Sequence, residues 1–182
     1  MDQTSLDAAR LRANVQAMES SKKRQNPIRP TDAEAIALAG SLLSSARFGA
    51  LGTLEDGAPL VTRIAVIWTR SVALSLVSDL SHHTKALRRD PSYSLLIGEP
   101  GEKGDPLTHP RLTLLGQAQI IEHQSPDFTA LRAPFVAKVP KAKLYIDFGD
   151  FVFLRFDISK ALLNGGFGKA YELQASDFAS LD

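Results

Sequence analysis

Asp56-Gly57 constrains the fold of this chain more than any other pair of residues, because it separates two apolar, β-branched runs. The runs cover residues 48–54 and 59–68, and Asp-Gly between such runs is a strong signal for a two-residue hairpin turn. A second turn at Thr69-Arg70-Ser71 leads into a third run, residues 72–78. Since turns and not crossover helices join these strands, the pattern disfavours a doubly wound parallel sheet and favours an antiparallel one.

The rest of the chain adds strands with helices around them. Residues 98–110 hold three glycines and three prolines and can only form a loop. Periodicity and capping residues predict further elements, namely helices from Thr4, over 31–46, after Ser81 and over 126–139, and strands over 92–97, 111–121 and 151–158. We therefore expect one domain over residues 1–182, mainly β with peripheral helices (α+β), built as a small β-barrel or strongly curved sheet.

Composition excludes several classes of function. Lys and Arg number 21 against 20 Asp and Glu, so the formal charge of +1 provides no field for nucleic acid or an anionic membrane. The chain has no cysteine, which removes disulfides, thiolate metal sites and cysteine nucleophiles. No apolar run is long enough to span a membrane and no signal-peptide core is present, so we expect a soluble, cytoplasmic protein.

The sequence lacks the usual catalytic and metal-binding motifs. His82, His83, His109 and His123 do not have the spacing of metal ligands, so no metal site is predicted. There is no Gly-x-Ser-x-Gly elbow or Walker-type loop, and Gly165-Gly166-Phe167-Gly168 lacks the βαβ setting of a dinucleotide fingerprint. No side chain is therefore singled out as a catalytic acid, base or nucleophile.

The most informative polar stretch runs from Ser78 to Pro91, where the third strand ends in a turn and a short helix. Ser81 lies at the N-cap position, and His83, Thr84 and Lys85 follow in the first turn. Unpaired backbone N–H groups and the positive end of the helix dipole favour an anion at such a position, so the turn fits a phosphate. The alternative is a capped surface helix that carries its basic residues toward solvent.

Polar groups on neighbouring strands favour the anion-site hypothesis. Arg63 lies in the second strand, and Arg111 and Thr113 lie on the polar face of the strand over 111–121. Together with Lys85, the two arginines supply three separated basic groups that could neutralise a phosphate. Arginine gives forked hydrogen bonds and lysine gives a point charge.

These residues resemble motifs of a known family, the FMN-binding split barrels related to pyridoxamine 5'-phosphate oxidase, and within it the HugZ-like heme-utilisation branch. The matching pieces span residues 47–171, with N-terminal helices in 1–46 and a tail in 172–182. They are Arg47-Phe48-Gly49-Ala50-Leu51-Gly52-Thr53, Gly57-Ala58-Pro59, Leu80-Ser81-His82-His83-Thr84-Lys85-Ala86-Leu87, Asp90-Pro91 with Ser94-Leu95-Leu96, Asp105-Pro106-Leu107, Pro110-Arg111-Leu112-Thr113-Leu114-Leu115-Gly116 and Gly165-Gly166-Phe167-Gly168-Lys169-Ala170.

The resemblance implies an antiparallel split β-barrel that forms a homodimer, with two FMN sites at the subunit interface and a small-molecule substrate. It implies that Arg63 lies near the flavin phosphate, with the backbone of Ile64 and Ala65 beside the ring, and that Arg111 lies near the isoalloxazine. The remaining matched site residues are Val77 and Ser78 at the end of the next strand and His83, Thr84 and Lys85 in the phosphate-binding turn.

Two departures from the family limit what the resemblance implies. The C-terminal tryptophan and Arg-Leu-His motif that hold the oxidase substrate are absent, which argues against pyridoxamine phosphate oxidation. No histidine follows His123, so the iron-ligating histidine of heme-degrading members is absent too.

We therefore predict an FMN-dependent oxidoreductase of unknown substrate, with Arg155 and Phe167 as candidates to complete the site from the second subunit. A heme-binding or heme-degrading protein and a non-catalytic flavin carrier are the alternatives, and a deazaflavin also fits the fold.

Overall fold

The computed structural model describes residues 28–179 and residue 181. Within these residues the α-helices are α1 (Ala33–Ser45), α2 (His82–Arg89) and α3 (Pro126–Lys138). The strands are β1 (Ile28–Arg29), β2 (Phe48–Glu55), β3 (Ala58–Ala65), β4 (Ile67–Thr69), β5 (Val72–Ser78), β6 (Ser92–Ile97), β7 (Arg111–Ile121), β8 (Phe151–Asn164) and β9 (Ala170–Gln174). The helix predicted from Thr4 lies outside the described residues.

The strands form one sheet in the order β1-β9-β8-β7-β6-β2-β3, and β5 joins it by pairing with the first half of β8 and with β4. All of these pairs are antiparallel except β1 with β9, which run parallel. The prediction of a mainly β fold with peripheral helices is confirmed, but the sheet is mixed and not wholly antiparallel. Within the described residues β3 pairs with β2 alone, so the sheet is open between β3 and β5.

The two predicted hairpin turns are present. Asp56 and Gly57 have φ angles of 52° and 83°, and Arg70 and Ser71 have φ angles of 49° and 57°. Two successive residues with positive φ give the turn type whose twist matches that of antiparallel strands. Glycine adopts this conformation without strain, and aspartate tolerates it better than most residues.

The second predicted strand, residues 59–68, is interrupted. The N–H of Val66 donates to the carbonyl of Arg47 at 3.0 Å, ahead of β2, and the chain then leaves β2. It continues as β4, which pairs with β5 instead. The turn signals indicated the strand order here but not this break, because a continuous apolar run does not show where a strand changes its partner from β2 to β5.

Two apolar cores lie on opposite faces of the sheet. The inner face buries the leucines that face one another across β2, β6 and β7, namely Leu51, Leu95 and Leu114. On the outer face α3 covers one part and forms a second core with Phe128, Phe135 and Phe153. Phe153 is completely buried, so the first half of β8 is covered on both faces and not half-buried as its alternating pattern predicts.

Gly116 allows β7 to cross an irregularity in β8. The pairing of β7 with β8 shifts register between Leu115 and Gly116, and a Cβ at residue 116 would lie 1.9 Å from the carbonyl oxygen of Asp157. Only glycine permits this approach, so the bulge depends on that residue.

In the part of the chain that the structure describes, no helix has the length and apolar character needed to cross a membrane.

Candidate functional site

The turn between β5 and α2 is closed by hydroxyl groups. Thr84 is completely buried and its hydroxyl donates to the carbonyl of Ser78 at 2.8 Å. The Ser78 hydroxyl donates to the Asp150 carboxylate at 2.6 Å and accepts the N–H of Leu80 at 3.1 Å. Ser81 is the N-cap residue of α2, but its side chain makes no capping hydrogen bond. The hydroxyl protons of Ser78 and Thr84 are thus used in hydrogen bonds to the Asp150 carboxylate and the Ser78 carbonyl. The Ser81 side chain leaves the first N–H groups of α2 uncapped.

His83 connects this turn to the neighbouring strand. Its Nδ1 lies 3.1 Å from the Thr62 hydroxyl, and its Nε2 is buried without a hydrogen-bond partner in the described residues. Burial lowers the pKa of His83, and the adjacent His82 lowers it further. His83 is therefore a neutral imidazole at pH 7 that joins α2 to β3, beside the open gap between β3 and β5.

Acidic residues neutralise most of the positive charge on α2. Arg88 pairs with both Asp79 and Glu122, and these hydrogen bonds raise the pKa of its guanidinium. Two further pairs are Arg89 with Asp56 and His82 with Glu55. Lys85 is exposed, and its ammonium makes no ion pair with a described residue. Of the predicted basic groups at this turn, Lys85 is the one that remains available to an anion.

Arg63 and Arg111 lie on the outer face of the sheet. Directly opposed residues of antiparallel strands share a face, and Arg63, Ala50, Leu96 and Thr113 form one such row across β3, β2, β6 and β7. Arg63 lies over the Phe48 ring at 5.2 Å. Arg111 lies two residues before Thr113, so its strand is three strand spacings, about 14 Å, from that of Arg63.

The predicted site residues fall into three groups. Ser78, His83 and Thr84 meet at the β5–α2 turn, with Lys85 exposed beside them. Arg63 and Arg111 lie apart on the outer face. Ile64 and Val77 point into the inner core, so they present backbone only, whereas Ala65 lies opposite Phe48 on the outer face.

Two partners of the predicted residues were not anticipated. Thr62 contacts His83 across 21 residues, and Asp150 contacts Ser78 across 72 residues. The alternation of β3 could have indicated that Thr62 faces inward, because it has the opposite parity to Arg63. No sequence signal relates Asp150 to Ser78.

Part of the outer sheet face is apolar and uncovered. Leu54, Val61, Leu96 and Leu162 lie on this face and are 41%, 69%, 39% and 41% exposed. We call this surface, with Phe48 and Arg63, the open face. Several exposed apolar side chains on one sheet face are a candidate interaction or ligand site.

Two of the remaining histidines are held by local contacts. His109 Nδ1 accepts the N–H of Gly101 at 3.0 Å and its Nε2 donates to the carbonyl of Lys103 at 3.0 Å, so both ring nitrogens serve the loop. His123 contacts the carbonyl of Phe151 at 3.2 Å. Among the described residues no cluster of histidine and carboxylate side chains could hold a metal ion.

The chain matches known proteins in sequence and structure. The family model described as "CREG, beta-barrel" matches residues 30–180. The chain is 37% identical over 109 residues to the non-canonical heme oxygenase HOZ, chloroplastic, of Arabidopsis thaliana, a match that covers 55% of this chain and 32% of that protein. The match thus spans about a third of the length of this curated relative.

Two solved structures share the fold. One is 46% identical, with a TM-score of 0.74, and covers 82% of this chain and 98% of its own. The other is described as a heme binding protein from Mycobacterium smegmatis, is 28% identical with a TM-score of 0.73, and covers 84% of this chain and 62% of that one.

Proposed function

This chain belongs to the CREG β-barrel family, and on that premise we propose that it is a heme-binding protein whose site lies on the open face. The observation that carries the proposal is the uncovered apolar part of the outer sheet face, with Arg63 beside it. Two relatives described by a heme function support the choice of ligand.

The residues of the open face fit the chemistry of heme. The porphyrin ring is planar and apolar, and it would pack on Leu96 and Val61, which are partly or largely exposed. Its two carboxylates need cations, and Arg63 has only the Phe48 ring as a described contact, so its forked N–H groups remain available. Arg111 donates to the carbonyls of Leu107 and His109, which orients it but leaves its charge uncompensated.

A homodimer completes this site. A ligand on a flat sheet face is covered on one side only, and a second copy would cover the other side and exclude water. Heme bound there would supply redox and oxygen chemistry, and the chain would orient it and limit access of solvent. Both ring nitrogens of His109 serve its loop, and His83 contacts Thr62 on the inner side of the sheet, so we assign neither histidine to the heme iron.

The absorption spectrum of the purified protein with added hemin, before and after gel filtration, tests the proposal. We expect a Soret band that stays with a dimer. Arg63→Ala should weaken hemin binding about tenfold, since a charge-assisted hydrogen bond is worth roughly 1.5–3 kcal/mol. Lys143→Ala removes an exposed charge from another part of the chain and should have no effect. Loss of hemin on the column would contradict the proposal.

A flavoprotein is the second candidate, and the uncapped start of α2 favours it. The first N–H groups of this helix lack a side-chain cap from Ser81, and the Lys85 ammonium has no described partner, which together suit the phosphate of FMN. In the described part of the chain one edge of β3 has no partner strand, which leaves backbone groups near Ile64 and Ala65 for a flavin ring. An FMN-dependent oxidoreductase, or one that uses a deazaflavin, would use these groups.

Retention of added FMN through gel filtration tests this second function. We expect a yellow, two-banded spectrum in that case, and Lys85→Ala should weaken FMN binding by roughly 1.5–3 kcal/mol. Unaltered affinity in this variant would exclude the phosphate site. Thr84→Ala is a poor test, because Thr84 is buried and holds the turn.

A further inference from the structure

A cavity lies on another part of the molecule, where α1 and α3 both end beside β4. Its volume is about 740 Å³, within the usual range for small-molecule sites. We call it the basic cleft, and its walls include Arg47, Trp68, Lys138 and Lys141. None of the residues predicted to hold a flavin lines this cleft.

The charge in the basic cleft is not balanced by acidic residues. Its described lining includes three cations, Arg47, Lys138 and Lys141, and no aspartate or glutamate. The C-terminal ends of α1 and α3 each contribute about −0.5 charge, which leaves an excess of about +2. The side chains of Arg47 and Lys141 form no ion pair in the described part of the chain. An anion with one or two negative charges would therefore be attracted to the cleft.

The walls also offer apolar surface and fixed donors. Val139 and Pro140 line one side, and Ile67 and Trp68 line another. The Trp68 indole donates to the carbonyl of Leu181 at 3.2 Å, and the Lys138 ammonium donates to the carbonyl of Trp68 at 2.5 Å. These bonds fix the ring and one cation before any ligand arrives, which lowers the entropic cost of binding.

We propose that the basic cleft binds a small organic anion with an apolar ring or chain and a carboxylate, sulfonate or phosphate group, independently of any ligand on the open face. The apolar walls take the body of the ligand, and Arg47 and Lys141 take its acidic group. The inference does not depend on the cofactor of the open face.

The chain's single tryptophan makes the cleft observable, because Trp68 lies in its wall. The probe is 1-anilinonaphthalene-8-sulfonate, which combines an aromatic body with a sulfonate, and its binding is followed by energy transfer from Trp68. We expect saturable binding of one probe per chain. Arg47→Ala and Lys141→Ala should each weaken it about tenfold, since each removes a charge-assisted contact.

Lys143→Ala is the matched control. Lys143 belongs to the same 3₁₀ helix as Lys141 (Pro140–Leu144) and is also exposed, but it does not line the cleft. Its replacement should leave probe affinity unchanged. Equal affinities in wild type, Arg47→Ala and Lys141→Ala would overturn the proposal. Both side chains are exposed, so weaker binding in either variant is not explained by loss of folding.

Calorimetric titration of the probe into protein with and without bound hemin tests whether the two sites are separate. We expect the same affinity in both titrations. Loss of probe binding on loading with hemin would overturn the proposal of an independent site. If the protein fails to bind hemin, the proposed heme function fails, and the two cleft variants with their Lys143→Ala control still decide the present inference.

Discussion

The two parts of the outer sheet face differ in what covers them. Beneath α3, Phe153 is completely buried and packs on Phe128 and Phe135, with ring centroids 4.8 Å and 5.2 Å away. On the open face of the same sheet, Leu96 and Val61 have no described element above them. Apolar residues that a chain does not bury against itself are available to a ligand or a second chain. The covered part thus contributes to folding, whereas the open face is the part for which we propose a ligand.

Phe153→Ala should give the largest effect and tests the covered part. Removal of this ring leaves a cavity between α3 and the sheet, and such changes cost about 3–5 kcal/mol. Leu96→Ala on the open face is the comparison, and we expect it to cost less than about 1 kcal/mol because part of its surface is already in water. Chemical denaturation at a concentration where the protein is monomeric measures both. Equal losses would show that the two parts do not differ in their role in folding.

Leu96→Lys should give the next largest effect and tests the open face directly. A lysine there would place a charge in the proposed dimer interface, so we expect the dimer and hemin binding to weaken at least tenfold, or about 1.4 kcal/mol. The stability of the monomer should not change. Leu144→Lys is the control, since Leu144 is 75% exposed and lies outside the open face. Gel filtration and hemin titration provide the measurements, and an intact dimer in Leu96→Lys would exclude this face as the interface.

Local turn chemistry explains why parts of the fold were predictable from sequence. Asp56-Gly57 specifies its turn because glycine adopts positive φ without strain, and this fixes the pairing of β2 with β3. The parallel pairing of β1 with β9 joins residues about 140 apart, and no local pattern encodes it. The position of α3 on the sheet was not predictable either, because periodicity indicates an apolar helix face but not the part of the sheet that this face covers.

The candidate site was also predictable only in part from the sequence. Ser78 and Thr84 lie six residues apart, and the end of a strand followed by a capping residue predicts that they share a turn. The ion pairs that neutralise α2 were not predicted, because Arg88 meets Glu122 and Arg89 meets Asp56 only once the sheet has formed. The basic cleft was missed for the same reason, since Arg47 and Lys141 lie on separate elements.

His83 gives a smaller effect and tests how α2 is held to the strands of the open face. Burial holds the pKa of His83 below its usual value, so the unfolded state takes up a proton first as the pH falls. The stability that neutral His83 provides is therefore present above about pH 6.5 and is lost progressively below it. We expect wild type to lose more stability than His83→Gln between pH 8 and pH 5, measured by urea denaturation.

His109→Gln is the control for this pH dependence. His109 lies in the loop between β6 and β7, and its two ring nitrogens bond to Gly101 and Lys103 of the same loop. The variant should keep the pH dependence of wild type. An identical pH dependence in His83→Gln would mean that burial of His83 does not contribute to the pH dependence of stability.

Arg88 should give the smallest effect and tests how α2 is held to the covered part. Its guanidinium joins Asp79, beside the β5–α2 turn, to Glu122, which lies just before α3. The side chain is 35% exposed, so water and salt screen the pairs, and we expect Arg88→Ala to cost roughly 0.5–1 kcal/mol, less at high salt. Arg89→Ala is the control, because the pair with Asp56 is more exposed and its loss should not be measurable. If the two variants are equally stable at low salt, the link through Glu122 contributes nothing, and α2 is held by its buried face and by the β2–β3 hairpin alone.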